Sequence, residues 1–223
     1  MIGQEAFAMP TTVESVVRCQ RNGPLIAIAA QLWIRPHDHV VDVTYGRGLF
    51  WTHYRPAHLT AHDLTLDGVD FRHLPEADAS VDVVVFDPPY IPQGGRETST
   101  LRNTAGITAG SNGGFLDRYG LLDGPRSRRE LDALIADGMK EATRVLRPTG
   151  RLWVKCMDYI SGGRYCTGRH HVVTTAVDLG LRQVDEFVHH SGLGPQPDRA
   201  VQQHSRRAHS FLCIFEAPKR RRP

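Results

Sequence analysis

Val81-Asp82-Val83-Val84-Val85-Phe86-Asp87-Pro88-Pro89-Tyr90 is the stretch on which the reading of this chain turns. Its first six residues are rich in β-branched and aromatic side chains, the pattern of a short strand buried on both faces. The two prolines end the strand at once, because proline has no N–H for the ladder and fixes its own φ. A carboxylate and an aromatic ring are thereby held at the strand's end. By composition alone, Asp-Pro-Pro-Tyr would occur in roughly one in a thousand chains of this length. Its position directly behind the clearest strand signal therefore argues for a built site.

Upstream lies Asp42-Val43-Thr44-Tyr45-Gly46-Arg47-Gly48, behind a second short apolar run at residues 39–43. A strand, a glycine turn and a following helix let backbone N–H groups face a ligand. Gly46 and Gly48 allow the tight turn and a close backbone approach. A dinucleotide-binding loop would carry a third glycine three places on, where this chain has Trp51. That bulk disfavours a pyrophosphate and leaves room for a nucleoside-type cofactor without phosphate. Asp63 follows Asp42 at about the twenty-residue spacing at which an acid meets a ribose hydroxyl pair. Asp70 stands near the same sheet edge, placed to accept from an adenine amino group.

The wider pattern alternates strand and helix signals, predicting an α/β fold with a parallel sheet. Residues 11–34 read as a helix capped by Thr12 and interrupted by Gly23-Pro24. Residues 59–61 and 69–71 read as second and third strands. The spacing of Leu131, Leu134, Ile135, Met139, Ala142, Val145 and Leu146 predicts a helix over 128–146, closed by Pro148 and Gly150. Residues 152–156, 181–188 and 210–215 read as further strands, and 172–179 as a helix ended by Gly180. The whole of 1–223 reads as one domain. The glycine-rich segment 91–125 and the polar segment 189–208 read as long functional loops, and 217–223 as a basic tail.

Composition narrows the class. The 223 residues are 40% hydrophobic, enough for a full core. No apolar run is long enough for a membrane span, and the N-terminus carries no secretory pattern. Four cysteines without paired spacing fit a reduced, cytoplasmic protein. The net charge of +3 is mild, but its positive residues cluster at Arg126, Arg128 and Arg129 and again late in the chain. Twelve histidines are many, yet His170-His171 and His189-His190 are adjacent pairs that cannot face one ligand. With no zinc spacing among Cys and His, no metal is expected.

Asp87-Pro88-Pro89-Tyr90 suits one chemistry. An exocyclic amine on a nucleobase is a poor nucleophile, because its lone pair is delocalised into the ring. It gains from acceptors that favour a tetrahedral nitrogen. Asp87 supplies a carboxylate, Pro88 a carbonyl stiffened by Pro89, and Tyr90 a face on which an extruded base can stack.

These motifs resemble those of the amino-group-specific DNA methyltransferases, which act on adenine N6 or cytosine N4. The resemblance includes Val69-Asp70-Phe71-Arg72-His73-Leu74-Pro75, Gly150-Arg151-Leu152-Trp153-Val154-Lys155-Cys156 and His209-Ser210-Phe211-Leu212-Cys213-Ile214-Phe215. It covers most of the chain, from about Val16 to Phe215, and is similar to small phage- and actinobacterial-type members. It implies a class I S-adenosylmethionine-dependent methyltransferase fold, a mostly parallel seven-stranded sheet with helices on both faces. It also implies S-adenosyl-L-methionine as donor and adenine N6 in DNA as acceptor. Asp42, Thr44, Tyr45, Gly46, Gly48, Asp63, Asp70 and Phe71 would hold the cofactor, with residues 18–24 helping to enclose it. Asp87, Pro88, Pro89 and Tyr90 would be catalytic.

The sequence reads as lacking a separate target-recognition domain, leaving segments 91–125 and 189–208 as the ones long enough to read DNA. Arg96, Arg102, Arg118, Arg199, Arg206 and Arg207 are the phosphate-contact candidates, and such contacts give register rather than sequence. The alternatives are an RNA amino-group methyltransferase, an N4-cytosine enzyme, or an inactive nucleic-acid binding protein.

Overall fold

A computed structural model describes residues 12–90, 101–102, 108–109, 125–191, 203–205 and 207–219. Its centre is a seven-stranded sheet. In chain order the strands are β1 (Val16–Arg18), β2 (His39–Asp42), β3 (His58–Ala61), β4 (Val81–Phe86), β7 (Leu146–Cys156), β10 (Arg182–His190) and β11 (His209–Glu216). Across the sheet they run in the order β3-β2-β4-β7-β11-β10-β1. Only β11 runs against its neighbours; the other pairings are parallel. Two small ladders stand apart, β5 (Leu101–Arg102) with β6 (Thr108–Ala109), and β8 (Tyr159–Ser161) with β9 (Arg164–Cys166). The helices are α1 (Asn22–Trp33), α2 (Arg128–Val145) and α3 (Gly168–Asp178).

Alternation along β4 divides the core in two. Val83 and Val85 turn towards α1 and pack with Leu25, Ile26, Trp153 and Ile214. Val84 and Phe86 turn the other way, towards Leu131, Met139 and Val172 of α2 and α3. A period of two on a strand covered on both faces produces this split. Each fully buried aliphatic or aromatic side chain contributes about 1.5–3 kcal/mol.

The predicted α2 is found within one residue. Ser127 caps it by accepting the Glu130 N–H at 3.2 Å, and Glu130 accepts from Ser127 Oγ and the Arg126 N–H. This reciprocal capping box fixes the start. All the apolar residues named for its inner face are buried.

Two expectations are corrected. Residues 11–34 are not one helix. Val16–Arg18 pair with β10 at the sheet edge, and the helix begins at Asn22. Pro24 falls in the first helical turn, where its missing N–H leaves no bond unmade. Gly23-Pro24 therefore marks a beginning, not an interruption. Nor do residues 69–71 form a strand. Val69 N–H and Arg72 N–H go to the side chains of Asp67 and Asp70, and His73 N–H to the Asp70 carbonyl, which folds the segment into turns. Phe71 instead drops into the core, its ring centroid 5.0 Å from that of Phe86. The sheet keeps its seven strands because β1 adds to the opposite edge.

Among the described residues no helix is long and apolar enough to cross a membrane.

Candidate functional site

The chain leaves β2 for β3 on one side and returns to β4 on the other, so a switch point opens between β2 and β4. In such sheets ligands bind outside the carboxyl ends of the strands at that point. Both motifs lie there. Val43 N–H continues the ladder to the Val85 carbonyl at 3.0 Å. One residue on, the Asp87 N–H donates to Thr44 Oγ at 2.7 Å. The glycine turn and the Asp-Pro-Pro-Tyr segment are thus bonded directly to each other.

Asp42, expected to face a ligand, turns into the protein. One carboxylate oxygen accepts the Thr44 N–H at 3.0 Å, and the other accepts the Trp51 indole N–H at 2.7 Å. Only 2% of its surface remains exposed. Burial pushes its pKa up to about 7, against the pull of those two donors. Asp42 is the anchor of the turn, and Trp51 closes the turn from beneath.

Gly46 and Gly48 have φ of +51° and +68°. A Cβ at Gly48 would stand 2.6 Å from Tyr45 Oη. Asp63 lies past β3 and accepts the Gly46 N–H at 3.0 Å through one oxygen. Its other oxygen takes the Thr65 N–H and hydroxyl. The sequence thus brings Asp63 to the glycine turn itself. Tyr45 N–H donates to the His62 carbonyl, and Arg55 holds Tyr45 Oη at 3.0 Å.

Asp70 is engaged by its own neighbour. Arg72 Nε contacts both carboxylate oxygens at 3.0 Å, and a second guanidinium nitrogen reaches one of them. Burial would raise Asp70, but these bonds outweigh it and hold the carboxyl below its ordinary value. The Phe71 side chain belongs to the core.

Asp87 carries the strongest functional mark. Its Oδ1 is sealed from solvent and has no hydrogen-bond partner. Desolvation raises its pKa to about 6, and the charge of Lys155 opposes that rise. Pro88 and Pro89 are buried behind it, while Tyr90 stays half-exposed. The Lys155 ammonium donates to Tyr90 Oη at 3.3 Å and lies 5.3 Å from the ring centroid. Lys155 itself is only 4% exposed. Trp51 and Lys155 were both missed as site residues by sequence reasoning. A lysine within Leu152-Trp153-Val154-Lys155-Cys156, at a strand's carboxyl end, was the signal that could have found the second.

Of the phosphate candidates, Arg96, Arg118, Arg199 and Arg206 lie outside the described residues, as does the Arg102 side chain. Most of the 91–125 segment and the middle of 189–208 lie outside them too. Arg207 donates to the Ser205 carbonyl at 2.8 Å, and its guanidinium stands 4.7 Å from the Tyr165 ring centroid. That places it on the β8–β9 hairpin. Among the described residues no group of three or more His, Cys, Asp or Glu is placed to hold a metal ion.

No protein-family model matches the chain, and no curated protein matches it. Solved structures do. A candidate methyltransferase from Bacillus halodurans C-125 superimposes with a TM-score of 0.51 at 13% identity, over 87% of this chain and 99% of that one. TrmN from Thermus thermophilus gives 0.48 at 17% identity, over 87% of this chain and 48% of that one. A candidate DNA modification methylase from the same species gives 0.41 at 19% identity, over 70% of this chain and 54% of that one. The chain spans about half the length of both Thermus proteins. With the switch-point sheet and its single reversed strand, the Bacillus match establishes the class I methyltransferase fold.

Proposed function

We propose that the chain transfers a methyl group from S-adenosyl-L-methionine to the exocyclic N6 amino group of adenine in DNA, with the base flipped out of the duplex. The sealed, unpartnered Asp87 Oδ1 beside the glycine turn carries this reading. A buried carboxylate oxygen without a donor costs free energy, and an amine hydrogen would satisfy it.

The residues present fit the cofactor. The turn has positive-φ glycines where backbone must approach closely, a floor closed by Trp51, and Asp63 bonded to its first glycine. Asp63 would hold ribose hydroxyls, and the Gly46–Gly48 backbone the amino-acid end. When bound, S-adenosyl-L-methionine supplies a methyl group already activated on a sulfonium. Asp87 accepts a hydrogen bond from the amine and so localises the nitrogen lone pair. Its raised pKa also suits it to receive the proton that the nitrogen must shed. Tyr90 stacks on the base. Positioning and charge placement then supply most of the acceleration. Segments 91–125 and 189–208 and the arginines named above are assigned to the nucleic acid.

The test is incubation with labelled cofactor and DNA, followed by nucleoside mass spectrometry. The expected product is N6-methyldeoxyadenosine. Label on deoxycytidine, or on RNA alone, would move the acceptor accordingly. Absence of label from every nucleoside, with the fold intact, would remove the proposal.

A further inference from the structure

Lys155 is a buried cation that the scheme above leaves without a task. The register explains how it comes to the site. In the parallel β4–β7 pair, Val85 faces Trp153 and Phe86 faces Val154. Asp87 and Lys155 are the next residues along the two segments, and each feels the charge of the other. Alternation along β7 places Lys155 on the face of Trp153, the α1 side of the sheet. Lys155 reaches forward from there to Tyr90 Oη at 3.3 Å. One ammonium therefore serves both halves of the proposed amine site.

We infer that Lys155 is a positioning residue for amino-group methylation: its charge favours the ionised Asp87 carboxylate, and its hydrogen bond sets the Tyr90 ring for stacking. The inference rests on the function proposed above. Without a nearby cation, burial would drive Asp87 towards its neutral form. A protonated Asp87 would have one oxygen fewer to offer an amine hydrogen, and no capacity for a proton. The Asp87 charge adds to the burial that raises Asp42. The groups facing Lys155 do not rival Asp87 as partners. Cys19 is a thiol that donates to the Arg21 carbonyl. Cys156 points to the opposite core with Cys213. His189 is held neutral by burial, with the Lys155 charge adding to the effect, and its Nε2 meets the Cys19 carbonyl at 2.9 Å.

The experiment reads the side-chain carboxyl of Asp87 by carbon-13 NMR against pH, in the wild type, Lys155→Met and Tyr90→Phe. Lys155→Met should raise the Asp87 midpoint by about one unit. Tyr90→Phe should leave it in place, because the ammonium stays. The acid limb of the methylation pH–rate profile should move up with the midpoint, and Lys155→Arg should return both towards the wild type. An unmoved midpoint in Lys155→Met overturns the inference. So does a moved midpoint with an unmoved acid limb. Should Lys155→Met not fold, the reciprocal titration decides. Asp87→Asn must lower the Lys155 ammonium midpoint read by nitrogen-15 NMR, and no change there overturns the coupling. These midpoints need no turnover. A chain that shows the coupling but methylates nothing would refute the proposed function while leaving the charge coupling standing.

Discussion

Thr44 Oγ accepts the backbone N–H of Asp87 across the β2–β4 seam at 2.7 Å. The backbone of the proposed amine site is thus fixed by a hydroxyl of the glycine turn. Thr44→Val keeps the shape and removes the acceptor. It should cost about 1–3 kcal/mol of stability, the usual penalty for orphaning a buried donor. Thr44→Ser should recover most of it. Denaturant titration of the three proteins checks this.

Asp87→Asn should separate the site's two halves. Methyl transfer should fall by about 10²–10³-fold, as when one preorganised electrostatic partner is lost. S-adenosyl-L-methionine affinity, measured by calorimetry, should not change. Near-normal turnover would remove Asp87 from the chemistry.

Gly48→Ala should behave oppositely. The residue has φ of +68°, and an added Cβ would meet Tyr45 Oη at 2.6 Å. Left-handed backbone at a non-glycine residue costs about 1–2 kcal/mol, equivalent to roughly tenfold in binding. Cofactor binding should weaken first, with turnover at saturating cofactor less affected.

Trp51→Phe should destabilise the protein in a pH-dependent way. Asp42 is raised in the folded state from 3.8 to about 7. For a raised acid, the folded form disfavours ionisation. Its contribution is fully present below pH 3.8 and is lost as pH climbs towards about 7. Removing the indole N–H takes away a donor that holds the value down, so the loss extends to higher pH. Melting temperatures at pH 5 and pH 8 should show the larger deficit at pH 8.

His62 gives a second pH dependence. Its Nδ1 lies 2.6 Å from Asp67 and its Nε2 2.8 Å from Glu76. Burial would lower the imidazole, but the two carboxylates outweigh it and raise its pKa above 6.5. For a raised base, the stabilisation is fully present below pH 6.5 and lost as pH rises through the folded value. His62→Gln should flatten that part of the stability–pH curve and leave the Asp42 part intact.

The parts of this molecule legible in the sequence share a physical reason. Val81–Phe86 is a strand buried on both faces and stopped by two prolines just past its end, so its period-two pattern stands clear. Helix α2 repeats its apolar residues over four turns and carries its own cap. The N-terminal error came from a proline that is tolerated in a first turn but reads as a break. Residues 69–71 failed because three apolar-flanked residues satisfy a strand pattern and a core-docked turn equally well. The electrostatic proximity of Asp87 and Lys155 depends on how the sheet brings two strands together across a crossover. A single charged residue in an apolar strand gives no distance to its partner, so only the folded sheet brings that pair together.

The indole of Trp51 gives the glycine turn an optical signature. Its pyrrole N–H donates to Asp42, whose pKa burial raises to about 7, so the emission of the protein should carry a component that changes with pH near neutrality. Trp153 in the sealed interior and Trp33 against Asp185 supply the background. A molecule settling over the turn should perturb the same chromophore, so an unlabelled sample can be tested for occupancy by its emission.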